Sequence, residues 1–258
     1  MTNLNSTADF NPPSNLSGRQ LVAKVLMGLV IGGIIAALLF IVVSFIGSMF
    51  TTALGAQTTE LSSANPLLPL ILLFIGFIST FIGNIAVAGV YSLFYSRKYH
   101  DVTKMFGLLF LTNGILFFIL APVYILFGSQ IETLFVILGF HVIFSVFASA
   151  AQLEFTSNPN YAGSSLMGNV LGFAFALLIY GLIYKLTGGS APQQKIYLFM
   201  ILPPVLAYTL IPFGSGIREK IYYKFYELGN NGFYIPSVGE REEEMEEDDA
   251  TEQEVNVE

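Results

Sequence analysis

Leu21–Phe50 reads LVAKVLMGLVIGGIIAALLFIVVSFIGSMF, an apolar run whose one charge, Lys24, stands near its start. As a helix rising about 1.5 Å per residue, this stretch outruns the roughly 30 Å hydrocarbon core of a bilayer. A cleaved signal peptide would carry an apolar core of only about 7–15 residues, so the run predicts an uncleaved first transmembrane helix. Working outward, five further runs follow at 67–95, 105–127, 133–153, 166–184 and 196–213. Each comes close to or exceeds the ~20 residues a spanning helix needs, and none shows the ~10-residue alternation of barrel strands. The expected fold is an all-α integral membrane protein, a six-transmembrane-helix bundle spanning 19–214.

Composition agrees. The chain has 258 residues, 54% hydrophobic and 11% charged, with a mean hydropathy of +0.67. A soluble domain carries about 25% charged residues, so this chain cannot cover a water-facing surface and lipid must do so. The net charge of −7 divides unevenly: residues 240–258 hold eleven acidic groups and one basic, Arg241. That segment is read as a disordered acidic C-terminal tail, because it has little to bury and repels itself. Residues 1–18, with Pro12-Pro13, read as a flexible cytoplasmic arm. The absence of cysteine excludes disulfides, thiolate metal sites and thiol nucleophiles.

Lysine and arginine set the expected orientation. Arg19, Lys24, Arg97, Lys98, Lys104, Arg218, Lys220 and Lys224 fall on one side of an alternating topology, and only Lys185 and Lys195 fall on the other. The positive-inside rule then places both termini inside, N-in/C-in, with the protein multi-pass in the cytoplasmic membrane. The loop 154–164 has no basic residue and is placed by alternation alone. The sequons at Asn5 and Asn15 would lie inside and go unused.

Residues 215–239 contain IREKIYYKFYEL, Ile217–Leu228, where Ile217, Ile221, Phe225 and Leu228 recur at helical spacing beside Arg218, Lys220 and Lys224. One reading is a juxtamembrane amphipathic helix whose three cations meet lipid headgroups; the other is a plain continuation of the sixth span. Two short matches raise an inverted three-plus-three repeat: Leu116–Val123 (LFFILAPV) with Leu198–Val205 (LFMILPPV), and Gly83-Asn84-Ile85 with Gly168-Asn169-Val170. Their registers differ, and such matches arise by chance in a chain this rich in Leu, Ile and Phe.

No Asp, Glu, Lys or Arg occupies the middle of any span. The polar groups that remain are Asn84, Asn113, His141, Ser145, Ser149, Gln152 and Asn169. His141, Ser145, Ser149 and Gln152 share one helical face at spacings of four, four and three. In the expected topology Asn84, Asn113 and Asn169 join them in the cytoplasmic half. These residues are a candidate polar cavity with His141 at its floor; alternatively they are interhelical hydrogen-bonding glue. Pro122, Pro203 and Pro204 fall in the outer half and are candidate kinks, whether hinges or static bends. Gly28-x-x-x-Gly32 and Gly168-x-x-x-Gly172 would let backbones approach within one chain.

Catalytic signatures are missing. There is no phosphate-binding loop, no dinucleotide fingerprint and no His-Glu-x-x-His pair. His141 and Ser145 share a face, but nothing orients them as a base and nucleophile, and Gly163-Ser164-Ser165 has no histidine after it. His100 and His141 alone do not make a zinc site. The expectation is a non-enzyme with no cofactor and no metal. Its partners would be the lipid bilayer and a cytoplasmic protein for the acidic tail, with no nucleic acid. Function is then read as an accessory or scaffold component, with a small permease or channel using the polar cavity as the alternative.

Overall fold

In the computed structural model, residues 18–54, 67–94, 102–128, 130–157, 162–189 and 192–229 are described. They form six long helices: α1 (Gly18–Leu54), α2 (Leu68–Phe94), α3 (Val102–Leu126), α4 (Ile131–Ser157), α5 (Ala162–Leu186) and α6 (Pro192–Gly229). All six are long and apolar enough to cross a membrane, as the sequence predicts. Most run a few residues past their apolar stretches. Apolarity measures contact with lipid, whereas a helix continues past it wherever no breaker intervenes and its backbone groups stay paired. Pro192 opens α6, where a missing N–H costs nothing. Thr187 follows α5 and donates its hydroxyl back to the Ile183 carbonyl at 2.8 Å.

Leu16–Arg218 makes up one compact body. Residues 215–229 continue α6 without a break. From Glu219 onward that helix belongs to a separate unit. The arm before Gly18 and the acidic tail 240–258 lie outside the described residues.

Within the body, α2 packs on α1, α3 and α4, and α4 packs on α3 and α5. Burial ranks the helices: 61% of the apolar stretch of α4 is buried, 44% of α2 and α6, and 17% of α3. Thus α4 is central and α3 peripheral, its Phe118, Ile119 and Leu126 exposed. Large apolar side chains stand exposed on every helix, an arrangement that water would not tolerate and lipid requires. Leu72, Leu73, Leu134, Leu138, Ile143 and Tyr208 are among the core residues between them.

Glycine decides how α1 and α5 meet α6. A methyl group at Gly28 would overlap the Tyr208 carbonyl, and one at Gly32 would lie 2.8 Å from the Pro204 carbonyl oxygen. On the other flank, a methyl at Gly172 would lie 2.7 Å from the Ile211 Cα, and one at Gly168 2.8 Å from the Ser215 Cα. Both small-residue motifs therefore pack inside the chain, on opposite partners of one helix, and both crossings are antiparallel. Pro212 lies within α6 and cannot donate to the Tyr208 carbonyl four residues back. The Gly28 Cα–H points at that same freed oxygen, a weak contact that offsets part of the loss.

The proline-containing octapeptides do not share surroundings. Pro122 is exposed on α3, whereas Pro203 and Pro204 are buried in α6, with Pro203 against Gly139 of α4. All three lie inside continuous helices.

Candidate functional site: a polar cluster and the cavity beside it

Four helices bring their polar side chains together at mid-body. Asn84 of α2 directs its amide nitrogen to Ser149 Oγ at 2.8 Å and Ser145 Oγ at 3.1 Å, both on α4. Asn113 of α3 donates to the Leu109 carbonyl at 2.7 Å and to Ser149 Oγ at 3.2 Å. Ser145 donates to Asn113 Oδ1. Tyr208 of α6 reaches Asn84 Oδ1 at 3.1 Å, with the Thr80 carbonyl at 3.2 Å. Thr80 returns its own proton to the Gly76 carbonyl at 2.7 Å. All of these side chains are buried.

Counting protons shows how nearly closed the cluster is. An asparagine amide has two N–H donors and a hydroxyl has one. Both protons of Asn84 and both of Asn113 have acceptors, as do those of Ser145, Thr80 and Tyr208. Ser149 is different. Its oxygen accepts from two amides, and no acceptor for its own proton is found among the described residues.

Ser149 faces a cavity of about 60 Å3, several times the roughly 10–15 Å3 that one water needs. Lys24 of α1, Asn84 of α2, Asn169 of α5, and Pro212 and Ser215 of α6 also line it. Among the described residues Asn169 Nδ2 and Ser215 Oγ are buried without a hydrogen-bond partner, and each residue is 2% exposed. Lys24 is 8% exposed. These positions belong to the starts of α1 and α5 and the ends of α2, α4 and α6, so the cavity sits at one end of the bundle. Among the described residues its polar lining is one ammonium, from Lys24, the amides of Asn84 and Asn169, and the hydroxyls of Ser149 and Ser215.

The sequence-derived set thus divides. Asn84, Asn113, Ser145 and Ser149 join in the cluster; Asn84, Ser149 and Asn169 line the cavity. His141 is fully buried but stands apart: its Nδ1 lies 3.3 Å from the Tyr124 hydroxyl, its ring fills the space before Gly76, and its Nε2 has no partner. It is not the floor of this cavity. Gln152 is half-buried and does not line it. Of the three headgroup candidates, Arg218 is half-buried with its Cβ near Gly168, Lys220 is exposed, and the Lys224 side chain lies outside the described residues.

Sequence reasoning passed over Lys24, Thr80, Tyr208 and Ser215. Signals existed. Lys24 stands one turn before Gly28, and a glycine ridge that packs inward points its neighbour inward too. Thr80 precedes Asn84 by four residues, and Tyr208 and Ser215 are seven apart on one face of α6. Lys24 was counted for topology, and the hydroxyls were lost among many others in apolar helices.

Among the described residues no group of His, Asp and Glu could hold a metal ion. Comparison with protein-family models, with curated proteins and with solved structures finds no match. The functional reading therefore rests on the site.

Proposed function

We propose that this multi-pass membrane protein is a small permease or channel, non-enzymatic, which takes a small polar solute into the cavity at the Lys24 end of the bundle. One observation carries this reading: Asn169 Nδ2 and Ser215 Oγ are buried, unpartnered and line the same cavity. Leaving a buried donor unmade costs about 1–3 kcal/mol. Helices held together by packing alone would place an acceptor there, or an apolar side chain. A polar guest resolves the cost without either. In the N-in/C-in orientation that the basic residues favour, the cavity opens toward the cytoplasm. The accessory or scaffold reading depends on the acidic tail, outside the described residues, so the geometry favours the alternative drawn from the sequence.

The absence of cysteine makes the test direct. Single cysteines at Asn169, Ser215 and Ser149, each in the full chain, are exposed to a membrane-impermeant thiol reagent in inverted and right-side-out vesicles. Labelling from the cytoplasmic side at two or more positions is expected. Failure to label from either side, with a cysteine at Lys220 labelling normally, would reject a water-accessible cavity.

A further inference from the structure

We infer that the protein is a carrier held closed at the Lys195 end, with Tyr180 of α5 as its gate; this rests on the reading of the cavity as a solute site. Asn169 and Tyr180 stand about three turns apart on one face of α5. The helix that offers an amide to the cavity therefore carries the tyrosine roughly 16 Å further along the bundle. There three helices meet at one glycine. The Tyr180 hydroxyl fills the space before Gly139 of α4, where a methyl group would overlap it, and Pro203 of α6 comes against the same space. Tyr180 donates to the Val136 carbonyl at 3.2 Å, and its ring stands edge-on to Phe140 at 5.4 Å and to Phe199 at 5.9 Å. Tyr180 and Phe199 are each 1% exposed. Nearer the starts of α4 and α6, Lys195 of α6 pairs with Glu132 of α4 at 3.5 Å.

The two ends differ in how α4, α5 and α6 are joined. At the Lys195 end a hydroxyl, two ring contacts and an ion pair link them. At the cavity end Asn169 Nδ2 of α5 and Ser215 Oγ of α6 have no hydrogen-bond partner among the described residues. The links are also of a kind that releases. The Val136 carbonyl keeps its bond within α4 when Tyr180 leaves, and an ion pair whose Glu132 is 40% exposed contributes little. Between the ends α6 rests on glycine: Gly32 meets it at Pro204 and Gly172 at Leu210 and Ile211, with Phe199 before these crossings in the chain and Ser215 after them. Backbone lies against backbone there without interlocking side chains, so α6 rocks on those crossings, opening one end as it closes the other.

The probe is a single cysteine, Asn169→Cys, in the full chain reconstituted into vesicles of both orientations and exposed to a membrane-impermeant thiol reagent. Tyr180→Ala, Tyr180→Phe and Lys195→Gln are each added to it. The rate of labelling from the Lys195 side should rise about tenfold or more in Tyr180→Ala, about fivefold in Tyr180→Phe and about threefold in Lys195→Gln. None of them should give stepwise conductance across a planar bilayer in potassium chloride, because a carrier does not open both ends at once. Should Tyr180→Ala not fold, the other two variants decide.

Conductance steps accompanying the new labelling would overturn the carrier in favour of a channel. Labelling of the parent from the Lys24 side, with no gain from the Lys195 side in any variant, would remove the gate and leave the cavity standing. If Asn169→Cys labels from neither side in the parent or the variants, the reading of the cavity falls and the gate falls with it.

Discussion

The cluster and the cavity adjoin, share Asn84 and Ser149, and are built from the same amides and hydroxyls, yet they differ in one respect. Among the described residues, each donor but one in the cluster has an acceptor, whereas in the cavity the buried Asn169 Nδ2 and Ser215 Oγ have no partner. Residue type is therefore uninformative within a membrane bundle. An asparagine that meets a serine across a helix interface is glue, whereas one that lines a cavity is left open to a guest. Removing a satisfied donor leaves its partners stranded, whereas removing an unsatisfied one relieves a cost.

The largest effect comes from breaking what both regions share, the close approach of α1 and α5 to α6. Gly172→Val would force a side chain against the α6 backbone, where a methyl already lies 2.7 Å from the Ile211 Cα. Backbone cannot rotate away as a side chain can. A loss of about 3 kcal/mol or more is expected, above the usual overpacking range, and the variant should elute as aggregate in detergent chromatography. Gly33→Ala, where a methyl meets nothing within 4 Å, should stay within about 0.5 kcal/mol of the parent. Equal behaviour of the two would refute the packing of the flanks on α6.

Next comes the direct contrast between two asparagines. Asn113→Leu strands the Ser145 proton and removes one of two donors to Ser149, so a loss of about 1–2 kcal/mol is expected, near the upper end for interhelical bonds in membranes. Asn169→Leu removes a donor that has no acceptor, and should be neutral or stabilising while impairing the site. Unfolding titrations in mixed detergent micelles give both values. If Asn169→Leu destabilises as much as Asn113→Leu, the distinction between cluster and cavity is false.

How much of this could be read beforehand follows from the same contrast. The spans were legible because twenty or more apolar residues have one stable use, and the run from Leu21 to Phe50 states it without ambiguity. The polar stripe of α4 was legible from spacing, and Ser145 and Ser149 lie where that spacing puts them, facing Asn84 and Asn113. What a stripe cannot report is which neighbour meets each turn. His141 shares the face but stands two turns from Ser149, and there it meets Tyr124 and Gly76 instead of the cavity. Lys24 was hidden by its position: a lysine at the start of a span normally reaches out to headgroups, and only the glycine ridge behind it turns it inward. Ser215 lay beyond Pro212, where the span was expected to stop, although α6 runs on.

A smaller effect measures the joint between the two regions. Asn84 and Ser149 share a 2.8 Å bond, so a double-mutant cycle with alanine at both should show a coupling of about 0.6–1.7 kcal/mol. The same cycle on Asn169 and Ser215, whose Nδ2 and Oγ have no hydrogen-bond partner among the described residues, should show a coupling near zero without ligand. If a polar guest occupies the cavity, coupling should appear once it is bound, because a shared guest links groups that do not touch. Coupling of the second pair without a guest would mean that they bond directly.

The smallest effect is expected at the residue that looked most functional from the sequence. His141 is fully buried, and one ring nitrogen lies at 3.3 Å from the Tyr124 hydroxyl while the other has no partner. His141→Leu abolishes the orphan, which is favourable, and strands the Tyr124 hydroxyl, which is not. The two terms are of similar size, so the net change should lie within about 0.5–1 kcal/mol. Tyr124→Phe alone strands the second nitrogen as well and should destabilise more. The double variant removes every unpaired group at once, and should be at least as stable as His141→Leu. That order, with the double variant above Tyr124→Phe, identifies the pair as a packing contact. Cysteine labelling at Asn169 should be unchanged in all three variants; reduced labelling would return His141 to the cavity from which its geometry removes it.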